Sequence, residues 1–214
     1  MKDIVLLWVQ WSWKWTQAEK LLEYFWPKYK YFEAGNVLRA LKLKPNALGD
    51  YVKKTIDGWN LVKDEFISNI FFAFLSTLEF GEFMLIDGYP RKEIQMMQFI
   101  ERMDFINRDF QVIFLDLDEE EAVSRLSKRR LCYDCGQVYS LDEIKDQNNC
   151  KKCNGENIIQ REDDTPDAVK QRLKLYKTET QAVIDYFQKN SKIDVIDAGD
   201  NSQKVFEKIL EVLE

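Results

Sequence analysis

Histidine is absent from this 214-residue chain, so histidine-based catalysis and histidine metal ligation are excluded outright. Glycine is scarce, with 8 residues where roughly 7% is usual in proteins. No glycine-, serine- or proline-rich linker divides the chain, which holds only 4 prolines; one domain with insertions is expected. No apolar window approaches a membrane-spanning length, and the first apolar run is too short for a signal peptide. A cytoplasmic protein without a membrane partner is therefore expected. A net charge of −6 gives no basic face for non-specific nucleic-acid binding. With 45% hydrophobic and 32% charged residues, the chain reads as soluble and globular.

What the sequence does have is tryptophan in unusual places. The stretch Trp8-Val9-Gln10-Trp11-Ser12-Trp13-Lys14-Trp15-Thr16 follows an apolar strand-like run (Ile4 to Leu7) and precedes the helical pattern Ala18-Glu19-Lys20-Leu21-Leu22. Strand, tight loop, lysine, threonine and helix is the layout in which backbone N–H groups and a helix N-terminus cradle polyphosphate. Such loops use glycine for positive φ and for close approach of phosphate to the backbone. Indoles at positions 8, 11, 13 and 15 block both. Trp26 and Trp59 occupy turn-like contexts as well, so all six tryptophans stand where glycine would be unremarkable. The pattern predicts that the gene reads UGA as glycine and that the tryptophans are a translation artefact. The alternative is a tryptophan-rich, degenerate relative of a phosphate-binding enzyme.

Strand-like runs fall at 4–7, 83–86, 111–115 and 193–197. Helical patterns lie near 62–79, 92–107, 118–129, 166–189 and 202–213. Alternation of this kind predicts an α/β fold with a parallel sheet covered on both faces. The acidic run 116–121 should start a helix, where negative charge suits the dipole. Thr165-Pro166 reads as an N-cap followed by proline at the first helical position.

The cysteines are confined to one insert. Cys132-x-x-Cys135 and Cys150-x-x-Cys153 are each followed by turn formers, Gly136 and Asn154-Gly155. Two such knuckles can point four thiolates at one tetrahedral centre. Zinc is the expected occupant, and a ligand set filled by sulfur leaves no open position, so the metal is expected to be structural. Two disulfides or four unrelated thiols are the competing readings; cytoplasmic redox conditions and the paired spacing disfavour them. A zinc ribbon can also bind nucleic acid.

Arginines mark element ends: Arg39 after Gly35-Asn36-Val37-Leu38, Arg91 after Asp87-Gly88-Tyr89-Pro90, then Arg125, Arg129, Arg161 and Arg172. Arg125 and Arg129, four apart in a helical pattern, are expected on one helix face. In an acidic protein such guanidinium groups can be gathered for phosphate, which Arg grips bidentately.

Together with Leu61-Val62-Lys63-Asp64-Glu65, Arg125-Leu126-Ser127-Lys128-Arg129-Arg130 and Arg161-Glu162-Asp163-Asp164, these motifs resemble the adenylate kinases of the zinc-lid type over essentially the whole length. In that family glycine stands at the positions of Trp8, Trp11, Trp13, Trp15 and Trp59. The resemblance implies a P-loop kinase fold: a five-stranded parallel sheet flanked by helices. The core would comprise 1–31, 62–130 and 161–214, with an AMP-binding helical insert at 32–61 and a zinc lid at 131–160. It implies ATP + AMP ⇌ 2 ADP with Mg²⁺, carried out by a monomer. Lys14 would contact the β- and γ-phosphates of ATP, within a loop that includes Trp11, Ser12, Trp13, Trp15 and Thr16. Arg39 and Arg91 would grip the AMP phosphate, and Arg125, Arg129, Arg161 and Arg172 would close around ATP and the migrating group. Arg161 and Arg172 would also reach AMP. Gln95 would hydrogen-bond its adenine, with Gly35, Asn60, Leu61, Val62 and Gly88 shaping that pocket. Asp87 would hold Mg²⁺ through water.

The chain departs from the family at Glu33-Ala34, where a Ser/Thr-Thr pair is usual, so a side-chain hydroxyl to AMP is missing. Phosphorylation of another nucleoside monophosphate therefore stays open, as does an inactive, zinc-stabilised binding protein if the tryptophans are genuine.

Overall fold

A computed structural model describes residues 1–8, 14–58, 60–144, 149–160 and 164–213; the side chains of Lys14, Pro166, Lys170, Gln171, Arg172, Leu173, Leu175 and Lys177 lie outside that description. In chain order the elements begin β1 (Asp3–Trp8), α1 (Lys14–Tyr24), β2 (Tyr29–Glu33), α2 (Ala34–Lys42), α3 (Ala47–Asp57) and α4 (Asp64–Leu75). Next come β3 (Phe83–Asp87), α5 (Glu93–Phe105), β4 (Phe110–Asp116), α6 (Glu119–Ser127), β5 (Arg129–Cys132) and β6 (Val138–Ser140). The remainder is β7 (Ile158–Ile159), α7 (Pro166–Glu179), α8 (Gln181–Lys189), β8 (Ile193–Asp197) and α9 (Ser202–Leu213).

Five strands pair in parallel in the order β2-β3-β1-β4-β8. Each inner strand is buried on both faces, which is why β1, β3 and β4 read as unbroken apolar runs rather than as alternating ones. Side chains alternate across the sheet all the same. Val5, Leu7, Met84, Ile86 and Val112 face a core completed by Phe71, Phe99 and Phe187. Ile4, Leu6, Leu85, Ile113 and Leu115 face a second core with Leu21, Val205 and Ile209.

The strand β2 was not legible as an apolar run, because Tyr-Lys-Tyr-Phe-Glu carries the charged Lys30 and Glu33 among its aromatics and sits at the edge of the sheet. It continues to Glu33, which pairs with Asp87, so its last two residues, Phe32 and Glu33, lie inside the expected AMP-binding insert. The long helical pattern 166–189 is two helices that meet at Thr180. Both helix-start readings hold: Thr165 accepts from the Ala168 N–H, and within the acidic run Asp118 caps α6 ahead of three glutamates in its first turn.

The strands β5, β6 and β7 form a separate three-stranded antiparallel sheet, in the order β6-β5-β7. Its core is small: Cys132, Tyr139, Ile144 and Cys150.

Candidate active site

Parallel strands deliver their carboxyl ends to one edge, where α/β proteins bind ligands. Three residues meet there from adjacent strands: Glu33 from β2, Asp87 from β3 and Trp8 from β1. Asp87 is fully buried, and its Oδ2 accepts from the Tyr31 hydroxyl at 2.7 Å. Burial, then the charges of Asp87 and Glu33, hold the Tyr31 phenol far above its ordinary pKa, so it remains a donor. Glu33 is also buried; it takes Nη2 of Arg39 at 3.0 Å and the side-chain amide of Asn36. Asn36 in turn accepts from Arg39. A Cβ on Gly35 would lie 3.0 Å from Arg39 Nη1, so the glycine lets this guanidinium fold back over the helix start.

Arg91 follows Gly88, whose φ of +82° suits a residue without Cβ. The Arg91 backbone N–H donates to Gln95 Oε1 at 2.8 Å, and Gln95 Nε2 donates to Asp64 at 2.8 Å. The expected adenine-binding amide of Gln95 is thus engaged at both ends in positioning Arg91. Arg91 Nε donates to the Gly88 carbonyl at 3.2 Å, and its guanidinium carbon sits 5.4 Å from the centre of the Trp8 ring. Burial lowers the pKa of Arg91 from the usual arginine value, opposed first by the charge of Asp87. Of the remaining expected pocket residues, Val62 is buried in the core, Leu61 is half-buried, and Asn60 is exposed, donating to the Gly58 carbonyl.

Arg125 and Arg129 do not share a helix face. The helix α6 ends at Ser127 with Lys128 as its C-cap, and Arg129 begins β5, paired with Ser140. Helical spacing carried past the cap produced the error. Arg125 donates to the carbonyls of Ala198 at 3.0 Å and Gly199 at 2.9 Å, and pairs with Glu121 at 2.6 Å. Arg129 forks onto Asp164, a fully buried carboxylate, with Nε 2.6 Å from Oδ2.

Trp11, Ser12, Trp13, Trp59 and Arg161 lie outside the described residues, as do the side chains of Lys14 and Arg172. Trp15 and Thr16 stand in the first turn of α1. Lys152 of the cysteine insert reaches that turn, its Nζ 5.9 Å from the Trp15 ring centre and 3.6 Å from Glu19.

The four cysteine Sγ atoms lie within 4.8 Å of one another, and none is in a disulfide. An all-sulfur set at this spacing fits a tetrahedral thiophilic ion. Burial opposes ionisation of Cys150, but hydrogen bonding to Tyr139 and to the backbone N–H groups of Cys153 and Lys152 outweighs it and draws the thiol down to about 6.

Sequence reasoning did not single out Tyr31, Asp64, Asp164 or Tyr176. Asp64 and Asp164 stand inside the motifs quoted above, but no spacing pattern shows that Tyr31, Asp64 and Asp164 meet Asp87, Gln95 and Arg129, partners distant in the chain. Trp8 was read as part of the phosphate loop, without a place among the ligand-contacting residues.

Comparison with known proteins bears on this arrangement. The sequence model of one family, adenylate kinase, matches residues 11–192. The adenylate kinase of Petrotoga mobilis is 34% identical over 203 residues, covering 94% of this chain and 92% of the relative. That of Methanothrix thermoacetophila is 34% identical over 214 residues, covering 99% and 98%. That of Nitrosococcus oceani is 30% identical over 213 residues, covering 98% and 97%.

Proposed function

The chain belongs to the adenylate kinase family, and from that premise we propose how its residues divide the work of ATP + AMP ⇌ 2 ADP. The observation that carries this reading is the family match across residues 11–192, a span that holds Glu33 and Asp87 of the strand-end cluster, the arginines and the cysteine insert. The reaction needs no covalent enzyme intermediate. Its catalysis is in-line positioning of two nucleotides, exclusion of water and neutralisation of charge on the migrating phosphoryl group.

Arg39 and Arg91 hold the AMP phosphate. Arg39 starts from its pair with Glu33 and exchanges that carboxylate for the substrate anion. Arg91 is held at its backbone by Gln95, so its guanidinium is presented in a fixed direction. Gly35, Asn60, Leu61, Val62 and Gly88 shape the acceptor pocket. Lys14 and Thr16, with Trp11, Ser12, Trp13 and Trp15 as the loop between, form the donor side in the form that carries glycine at the tryptophan positions. Arg125 and Arg129 flank ATP, and Arg161 and Arg172 reach the transferring group. Asp87, a buried carboxylate at a strand end, suits Mg²⁺ held through water; with ATP the ion supplies charge neutralisation at the phosphates. Cys132, Cys135, Cys150 and Cys153 hold structural zinc, which keeps the lid at 131–160 rigid as it closes over the core and excludes water. The segment 32–61 closes from the AMP side. The protein acts as a cytoplasmic monomer, without a nucleic-acid or membrane partner; among the described residues no helix is long and apolar enough to cross a membrane.

The test is to assay ATP + AMP ⇌ 2 ADP with two purified chains, one carrying tryptophan and one carrying glycine at all six positions. Activity confined to the glycine chain is expected. If neither chain turns over, the assignment of roles fails.

A further inference from the structure

Position 8 ends β1, and its indole turns inward: only 9% of Trp8 is exposed. The ring lies against Arg91, with 5.4 Å between the guanidinium carbon and the ring centre. It also lies against Gly88, where an added Cβ would meet Trp8 Cη2 at 3.4 Å and Arg91 Nη2 at 3.4 Å. Trp8, Gly88 and Arg91, with Leu7, Tyr176 and Thr180, line a half-open cavity of about 10 Å³, the space of a single water at most. Tyr176 lines this cavity, and its hydroxyl is buried without a hydrogen-bond partner among the described residues.

Buried hydroxyls are rarely left unpartnered, and a desolvated guanidinium is best satisfied by an oxyanion that accepts two of its N–H groups. The indole meets neither need. It offers Arg91 a ring face, and it offers the Tyr176 hydroxyl no acceptor. A phosphate oxygen in the volume of the indole would accept from both.

We propose that Trp8 closes the acceptor's phosphate subsite, and that Tyr176 is a positioning residue which donates to that phosphate beside Arg91. The proposal rests on the kinase reading above, yet it concerns AMP binding alone and needs neither ATP nor the loop at 9–13. The residue at position 8 is then a gate: without the indole, Arg91 and Tyr176 face open space deep enough for an anion.

Isothermal titration calorimetry with AMP, and with adenosine as the phosphate-free control, tests both parts. The full-length chain is compared with its Trp8→Gly and Trp8→Ala variants, each checked for a cooperative melt so that a failure to fold at one is covered by the other. Binding of AMP should tighten by about tenfold or more when the indole is removed, as expected when a charged group gains hydrogen-bond partners. Adding Tyr176→Phe to the opened variant should weaken AMP by about tenfold and leave adenosine unchanged. If neither variant binds AMP more tightly than the tryptophan chain, the gate is overturned. If Tyr176→Phe weakens AMP and adenosine alike, or neither of them, the positioning role is overturned. An active six-glycine chain combined with no gain on opening position 8 would sink the gate and leave the kinase reading standing. A gain on opening, with an inactive six-glycine chain, would do the reverse.

Discussion

Arg108 ties down the edge of the sheet opposite the candidate site. Its Nε lies 2.8 Å from Asp3 Oδ2 and its Nη2 lies 2.7 Å from Oδ1, while Nη2 also reaches the Glu82 carbonyl at 2.9 Å. Asp3 is 1% exposed and accepts from the Met84 N–H as well, linking β1 to β3. The pair raises the Arg108 pKa, chiefly through these hydrogen bonds. Removing one partner of a buried pair leaves a desolvated charge, a larger loss than the pair's own net contribution. Arg108→Ala should therefore cost about 3 kcal/mol, the low end for such pairs because 24% of the Arg108 side chain remains exposed. Urea unfolding reads this as a lower midpoint with an unchanged slope. A loss below about 1 kcal/mol would show that water compensates Asp3.

At the scale of elements, the cysteine insert is the part least able to stand alone. Its three strands comprise Arg129–Cys132, Val138–Ser140 and Ile158–Ile159, and two of its few buried residues are themselves cysteines. So small an apolar core cannot offset the chain entropy of ordering the segment, and such scaffolds depend on a metal or another staple. If the four thiolates hold zinc as proposed, a strong chelator should expose them to a colorimetric thiol reagent. Amide exchange across β5–β7 should then become fast, while β1, β3 and β4 keep their protection. Equal exchange in the lid with and without metal would show that zinc is dispensable for its fold. The helix α6 teaches a related point: its N-terminus was legible from Asp118 and the glutamates behind it. Its C-terminus was not, because Lys128 ends it without glycine or proline.

For the molecule as a whole, the tryptophans conflict with the fold they sit in. One indole fills the subsite beside Arg91, and Trp26 stands 78% exposed in a turn, so the first occupies space a ligand would take and the second packs against little of the protein. Reading UGA as glycine removes the indole from both positions. The intact mass of the protein isolated from its own cells should then be lower than that of the tryptophan chain by six tryptophan-to-glycine replacements. Tryptophan in peptides spanning positions 8, 11, 13 and 15 would refute the recoding and leave a closed acceptor site as a genuine property of the protein.

Local chemistry was enough to establish the alternation of strands and helices, the parallel sheet, the clustering of four thiols and the helix starts at Asp118 and Thr165. These follow from hydropathy period, turn formers and capping groups that act within a few residues of one another. The tertiary structure alone decided which side chains hold which. Tyr31 meets Asp87, Gln95 bridges Arg91 to Asp64, and Arg129 leaves its helix to grip Asp164. It also placed the indole of residue 8, 80 positions away in sequence, against Gly88. Pairing across such separations depends on strand order and register, which the burial of the whole sheet settles and no local pattern encodes.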